Sequence, residues 1–131
     1  MPAQINKKTA KLIIKWCQER YGNSQYSDFS KLHVTLDSTL PWHGQYFPLK
    51  NEIKLNPKKH RSTVSWCSTV IHEYTHFLQD MEKYLKYRTS YENHPYEKTA
   101  NNRCERDKFE ARRWLMRKLI KENKYNNTLT K

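Results

Sequence analysis

Apolar residues recur at Ala10, Ile13, Ile14 and Cys17, with Leu12 and Trp16 widening the stripe, and Gly22 stands where the pattern stops. That period of three to four predicts an amphipathic helix over residues 6–21. The period then falls to two. Leu32, Val34 and Leu36 alternate with His33 and Thr35, which predicts a strand, and Pro41 within residues 39–44 marks a turn or loop. After Tyr46, Phe47 and Leu49, alternation resumes in Glu52-Ile53-Lys54-Leu55-Asn56 and ends at Pro57. These pieces predict a small, mainly antiparallel sheet.

Helical periodicity returns after the basic run Lys58-Lys59-His60-Arg61, with Ser62 or Thr63 as the capping residue. The helix is expected to reach Leu85. Residues placed at 100° intervals put Cys67, Val70, Tyr74, Phe77 and Met81 on one face; Ser65, Ser68, Thr69, His72, His76 and Gln79 share the other. A polar, tyrosine-rich crossover over residues 84–94 follows, and Pro95 is suited to the first turn of a long helix ending near Asn123. On that helix Glu97, Ala100, Asn101, Cys104, Ala111, Leu115 and Leu119 fall on one face, whose small residues permit close approach to another helix. Residues 124–131 read as a frayed, flexible tail. The fold class is therefore α+β: an N-terminal helix, a small sheet, a central helix and a long C-terminal helix.

The central helix carries the chemistry. In His72-Glu73-Tyr74-Thr75-His76 the two imidazoles are four residues apart, so both point the same way and can hold one ion, while Glu73 reaches a water beside it. Core histidines would lie within the apolar stripe, whereas these face away from it. Catalytic zinc needs a third protein ligand and an open fourth position. Glu97, at the start of the small-residue face, is the leading candidate, because an antiparallel return after the crossover brings it beside the histidines; His94 and then Glu92 compete for the role. Asn101, one turn beyond Glu97, is a candidate to accept the free ring N–H of a ligand histidine. Tyr87, Tyr91 and His94 are candidates to stabilise an oxyanion, and Tyr91 stands with Glu73 as a candidate catalytic residue.

Length and composition narrow the picture. A chain of 131 residues fits one domain, 1–131, with a modest core to which nine Tyr, four Phe and four Trp contribute. A formal charge of +12, from 25 Lys and Arg against 13 Asp and Glu, makes an acidic partner or nucleic acid plausible alongside a peptide or protein substrate. The sources of that field are residues 58–61 and the series Arg103, Arg106, Arg112, Arg113 and Arg117. Three cysteines without a close pair, Cys17, Cys67 and Cys104, argue against a zinc ribbon or disulfide framework and for reduced, buried thiols. No apolar run is long enough to span a membrane, and the start lacks the apolar stretch of a secretory signal, so a cytoplasmic monomer is the expectation.

His72-Glu73-Tyr74-Thr75-His76, together with Glu97-Lys98-Thr99-Ala100-Asn101, resembles the thermolysin-like, or gluzincin, branch of the zincin metallopeptidases. The short form, with Phe77-Leu78-Gln79 after the second histidine, is also similar to small uncharacterised zincin-like proteins of bacteria and their viruses. The likeness covers roughly residues 45–115. In that branch an acidic residue four positions after the ligand glutamate supports a zinc histidine; Asn101 occupies the matching place and keeps an acceptor but not the charge. The resemblance implies zinc-dependent peptide-bond hydrolysis by His72, His76, Glu97 and Glu73. It also implies a sheet above the catalytic helix, whose edge strand pairs with an extended peptide; Glu52, Ile53, Lys54, Leu55 and Asn56 are the strand expected there. The competing class is a basic nucleic-acid- or protein-binding module that keeps zinc for stability.

Overall fold

A computed structural model describes residues 4–129, with side chains through residue 123. Helix α1 spans Lys7–Tyr21. Asn6 caps it by accepting from the Thr9 N–H at 3.0 Å while Thr9 Oγ1 accepts from the Asn6 N–H at 3.2 Å, so two otherwise unpaired donors are satisfied reciprocally. It ends at Gly22, whose φ of 86° no β-carbon obstructs. Strands β1 (His33–Leu36), β2 (Gly44–Phe47) and β3 (Glu52–Leu55) follow. Helix α2 spans Thr63–Leu78, with Ser62 accepting from the Ser65 N–H; α3 spans Met81–Lys86 and α4 spans Pro95–Leu129. The expected N-terminal helix, small sheet, histidine-bearing helix and long last helix are all present.

The strand order is β1-β3-β2, with β2 antiparallel and β1 parallel to β3. The sheet is thus mixed where a mainly antiparallel one was expected. The reason lies in connection length: the four residues from Pro48 to Asn51 turn β2 back onto β3 as a hairpin, whereas the longer excursion after Leu36 lets β2 take the outer position. The segment Glu52–Asn56 forms the central strand and cannot be a free edge: its backbone is paired on both sides, Thr35 Oγ1 donates to Glu52 at 2.7 Å, and the Asn56 amide donates to the Leu40 carbonyl at 2.7 Å. The edge that lies over α2 is β2.

Helix α2 is the centre of the molecule, packing against α4, α1 and the sheet. Trp66, Cys67, Val70, Ile71, Tyr74 and Phe77 are fully buried among Ala10, Ile13, Ile53, Leu55 and Leu115. Burial of each large side chain contributes about 1.5 to 3 kcal/mol relative to exposure. The polar ends of the aromatics are matched: Trp66 Nε1–H donates to Thr9 Oγ1 at 3.0 Å, and the Tyr74 hydroxyl to the Gly22 carbonyl at 2.7 Å. Gly44 sets the strand-to-helix distance, because a β-carbon there would lie 2.8 Å from Thr69 Cγ2.

The expected helix to Leu85 is interrupted. Gln79 is extended, with φ −93° and ψ 156°, and Asp80 then caps α3 by accepting from the Glu82 and Lys83 N–H groups. Met81, assigned to the core face, is consequently only partly buried and packs against the margin of the core. At the other end of the chain, α4 continues past the expected Asn123 boundary to Leu129, and the side chains of the tail assigned to 124–131 lie outside the described residues. All three cysteines are free thiols and buried. Among the described residues no helix is long and apolar enough to cross a membrane.

Asp107, buried on α4, was not anticipated. It accepts from the Tyr21 hydroxyl at 2.6 Å and from Arg106, whose hydrogen bonds hold its carboxyl below the usual carboxylate range against burial, with Tyr21 adding to the effect. Tyr21→Phe is expected to cost about 1.5 to 3 kcal/mol at neutral pH, the range for a bond to a charged group. A depressed folded-state pKa means this contribution is complete above the unfolded value near 4 and shrinks as pH falls through the lower folded value. Urea midpoints of both proteins across that interval measure it; equal stability at neutral pH would refute the assignment.

Candidate metal centre

His72 and His76 stand one turn apart on α2, on the face opposite its apolar stripe, and Glu97 comes from the first turn of α4. Both histidine Nε2 atoms lie 3.0 Å from Glu97 Oε1 and 3.2 Å from each other. His76 and Glu97 are buried, and the His72 side chain is 12% exposed. Three donors on one tetrahedral zinc at about 2.0 to 2.1 Å would lie about 3.3 Å apart, so the observed triangle is close to the size an ion requires. Two nitrogens and a carboxylate oxygen are also the donor set zinc favours.

The hydrogen bonds behind the ligands aim their lone pairs. Because α2 stops at Leu78, Gln79 can turn its amide back: its Nε2 donates to the Tyr96 carbonyl at 3.1 Å, which leaves Oε1 facing His76 Nδ1 at 2.7 Å. An amide oxygen only accepts, so Nδ1 carries a proton, and loss of the second ring proton to an incoming metal leaves the His76 Nε2 lone pair facing the centre. The His72 ring meets Glu97 Oε1 at 3.0 Å and the Tyr91 hydroxyl at 3.5 Å. The Tyr84 hydroxyl, from α3, donates to Glu97 Oε2 in a short contact, leaving Oε1 to the histidines.

Charge in this pocket is balanced within the cluster. Burial opposes a charge on His72, but its contacts with Cys104 and Glu97 and the nearby Glu73 outweigh that and push its pKa up to about 10. Burial likewise opposes ionisation of Glu97, yet bonds from His72, His76 and Tyr84 hold it well below the ordinary carboxylate range. A metal entering at neutral pH therefore displaces a proton held between them. Glu73, with 6% of its surface exposed, has its pKa raised by burial against the pull of both histidines; the backbone N–H of Tyr46 on β2 also favours its ionised form.

Among the sequence-predicted residues, His72, His76 and Glu97 converge as a ligand set. Tyr91 lies close, its hydroxyl 3.5 Å from His72 Nε2. His94 is not available as a ligand: Nε2 is bonded to the Tyr84 carbonyl at 2.8 Å and Nδ1 accepts from the Tyr96 N–H at 3.1 Å. Glu92 is exposed outside the cluster, and the Tyr87 ring packs against His94 and Tyr96. Asn101 does not orient a histidine. It is exposed, its side chain has no hydrogen bond among the described residues, and Gln79 occupies the supporting position on His76 instead. Tyr84 carried no spacing signal, because it reaches Glu97 only through the break at Gln79 and Asp80.

Lys58, Lys59 and Arg61 are exposed, whereas other basic residues singled out from the sequence have partners within the fold. His60 is buried between the Asn56 carbonyl and Thr69 Oγ1, both at 2.8 Å; Arg103 lies over the Tyr21 ring, and Arg106 is paired with Asp107. Arg112, Arg113 and Arg117 remain exposed.

Glu97→Ala should abolish tight zinc binding while the protein stays folded, as measured by metal analysis and circular dichroism; retained stoichiometric zinc would remove Glu97 from the ligand set. Gln79→Leu should lower zinc affinity about ten- to a hundredfold in competition with a chromophoric chelator, because the His76 tautomer is then no longer fixed. Unchanged affinity would refute the supporting role. No family model, curated protein or solved structure matches this chain, and its compact α+β fold with a His72, His76 and Glu97 ligand triad beside Glu73 is consistent with a minimal zincin-like metallopeptidase fold.

Proposed function

We propose that the protein is a zinc-dependent peptidase of the gluzincin type, hydrolysing peptide bonds in a cleft between β2 and α2. The observation that carries this reading is a three-donor centre that opens onto a cleft with a buried carboxylate beside it. A structural zinc site is closed by four protein ligands; here only three cluster among the described residues. A glutamate rather than a histidine as third ligand, from a helix later in the chain, supports the gluzincin branch.

When bound by His72, His76 and Glu97, zinc supplies Lewis acidity that acidifies water and polarises an acyl carbonyl. Glu73 then acts as general base and acid, taking the proton of the attacking water and delivering it to the leaving amine. Burial raises its pKa against the pull of both histidines, which favours its taking up a proton. The Tyr91 hydroxyl donates to the oxyanion that develops next to His72. Tyr84 and Gln79 act indirectly, by orienting Glu97 and His76.

Glu73→Gln separates chemistry from binding. With zinc-loaded protein and a broad peptide library read by mass spectrometry, it should reduce cleavage about 10²- to 10⁴-fold while zinc content is unchanged. Undiminished cleavage would refute the general-base role, and metal-independent cleavage would refute the reaction class.

A further inference from the structure

The cleft has two chemically unlike arms that meet at the metal centre. Trp42, Gly44, His72, Glu73 and Tyr91 line both. One arm, of about 590 Å³, continues past Tyr46, Pro48, Met81, Tyr84 and Leu85. Its walls are largely hydrocarbon and aromatic. The other, of about 570 Å³, runs along the first turns of α2 and the middle of α4, past Ser65, Ser68, Thr69, Asn101, Glu105 and Lys108. Its walls are mostly hydroxyl, amide and charged, with Val64 and Cys104 among them.

Strand β2 gives these arms a direction. His43 and Asn56 form a hydrogen-bonded pair with β3, the Asn56 N–H donating to the His43 carbonyl at 2.9 Å, so Gln45 and Phe47 also turn their backbone groups inward. Gly44 and Tyr46 therefore direct theirs to the open edge, over the centre, where the Tyr46 N–H meets Glu73. The strand runs from Gly44, beside the polar arm, to Tyr46 and Phe47, with Pro48 next in the apolar arm. An extended peptide adding to this edge does so most favourably antiparallel, the more stable pairing per residue. Its amino-terminal part then lies in the apolar arm and its carboxy-terminal part in the polar arm.

Resting on the peptidase reading, we infer that the protein selects peptides with a large apolar or aromatic residue on the amino side of the scissile bond and polar residues on the carboxyl side. Leu85 and Met81 are the residues that set the first preference. Leu85 is 78% exposed and lies on the wall a substrate side chain would cover.

Two peptide hydroxamates built from the same residues, including phenylalanine, test the direction without any turnover. In one the chelating group closes the carboxyl end, so its side chains extend toward the amino-side arm; in the other the chelator begins the peptide and the same side chains extend the opposite way. Calorimetry on zinc-loaded protein should show the first binding about ten- to two-hundredfold more tightly, the span that one apolar group in a fitting pocket supplies. Leu85→Glu, at an exposed position that the fold does not need, should remove most of that advantage and leave the second compound unaffected. Equal affinities, the reverse order, or indifference to Leu85→Glu would overturn the cleft assignment while the metal-centre reading stands. Failure of zinc-loaded protein to bind either chelator would overturn both.

Discussion

The contact between α2 and α4 is the constraint on which the rest depends. Ala100 and Ala111 are fully buried along α4, with Cys104 close to it, so the two helix backbones can approach without large side chains between them. That approach brings Glu97, at one end of α4, against His72 and His76. It also fixes which way α2 is rolled: its apolar residues enter the core formed with α1 and the sheet, and the histidines are left facing the cleft. Packing energy spread over many apolar groups thus holds a few polar atoms in a geometry they would not choose alone, since three donors at about 3 Å repel unless a proton or a cation lies between them.

Much of this was legible because helical period and ligand spacing are both local. The i, i+4 pair on α2, the pairing of Glu97 with it, the Ser62 cap and the Gly22 stop all follow from residues close in sequence or from one antiparallel return. What the sequence concealed depends on topology or on a single broken helical turn. Strand order is not encoded by alternation, so Glu52–Asn56 passed for an edge although it is the strand most thoroughly paired. Asn101 had suitable chemistry at a plausible spacing, but the rotation of α4 that buries Ala100 and Cys104 leaves it outside. Gln79 and Tyr84 became ligand supports because Asp80 caps a new helix, and a continuous helix to Leu85 would have carried Tyr84 elsewhere.

The electrostatic arrangement separates two carboxylates by environment. Glu97 and Glu73 are both buried and both near the histidines, yet one is held ionised by three hydrogen-bond donors while burial dominates the other. Opposite shifts in neighbouring groups are the arrangement expected where one must bind a cation and the other exchange a proton. The three thiols do not join in this division: Cys17 and Cys67 are raised by burial, and the Cys104 thiol donates to the Asn101 carbonyl.

Gly44 adds a geometric consequence. The clearance between roof and floor of the catalytic groove is gauged by a missing side chain: Thr69 and Leu55 already fill the space where a β-carbon would go. Any other residue would lift β2 from α2, and the same movement would draw the Tyr46 N–H away from Glu73. One hydrogen atom thereby gauges the entrance, because the strand that roofs the groove can lie only as close to α2 as that position allows.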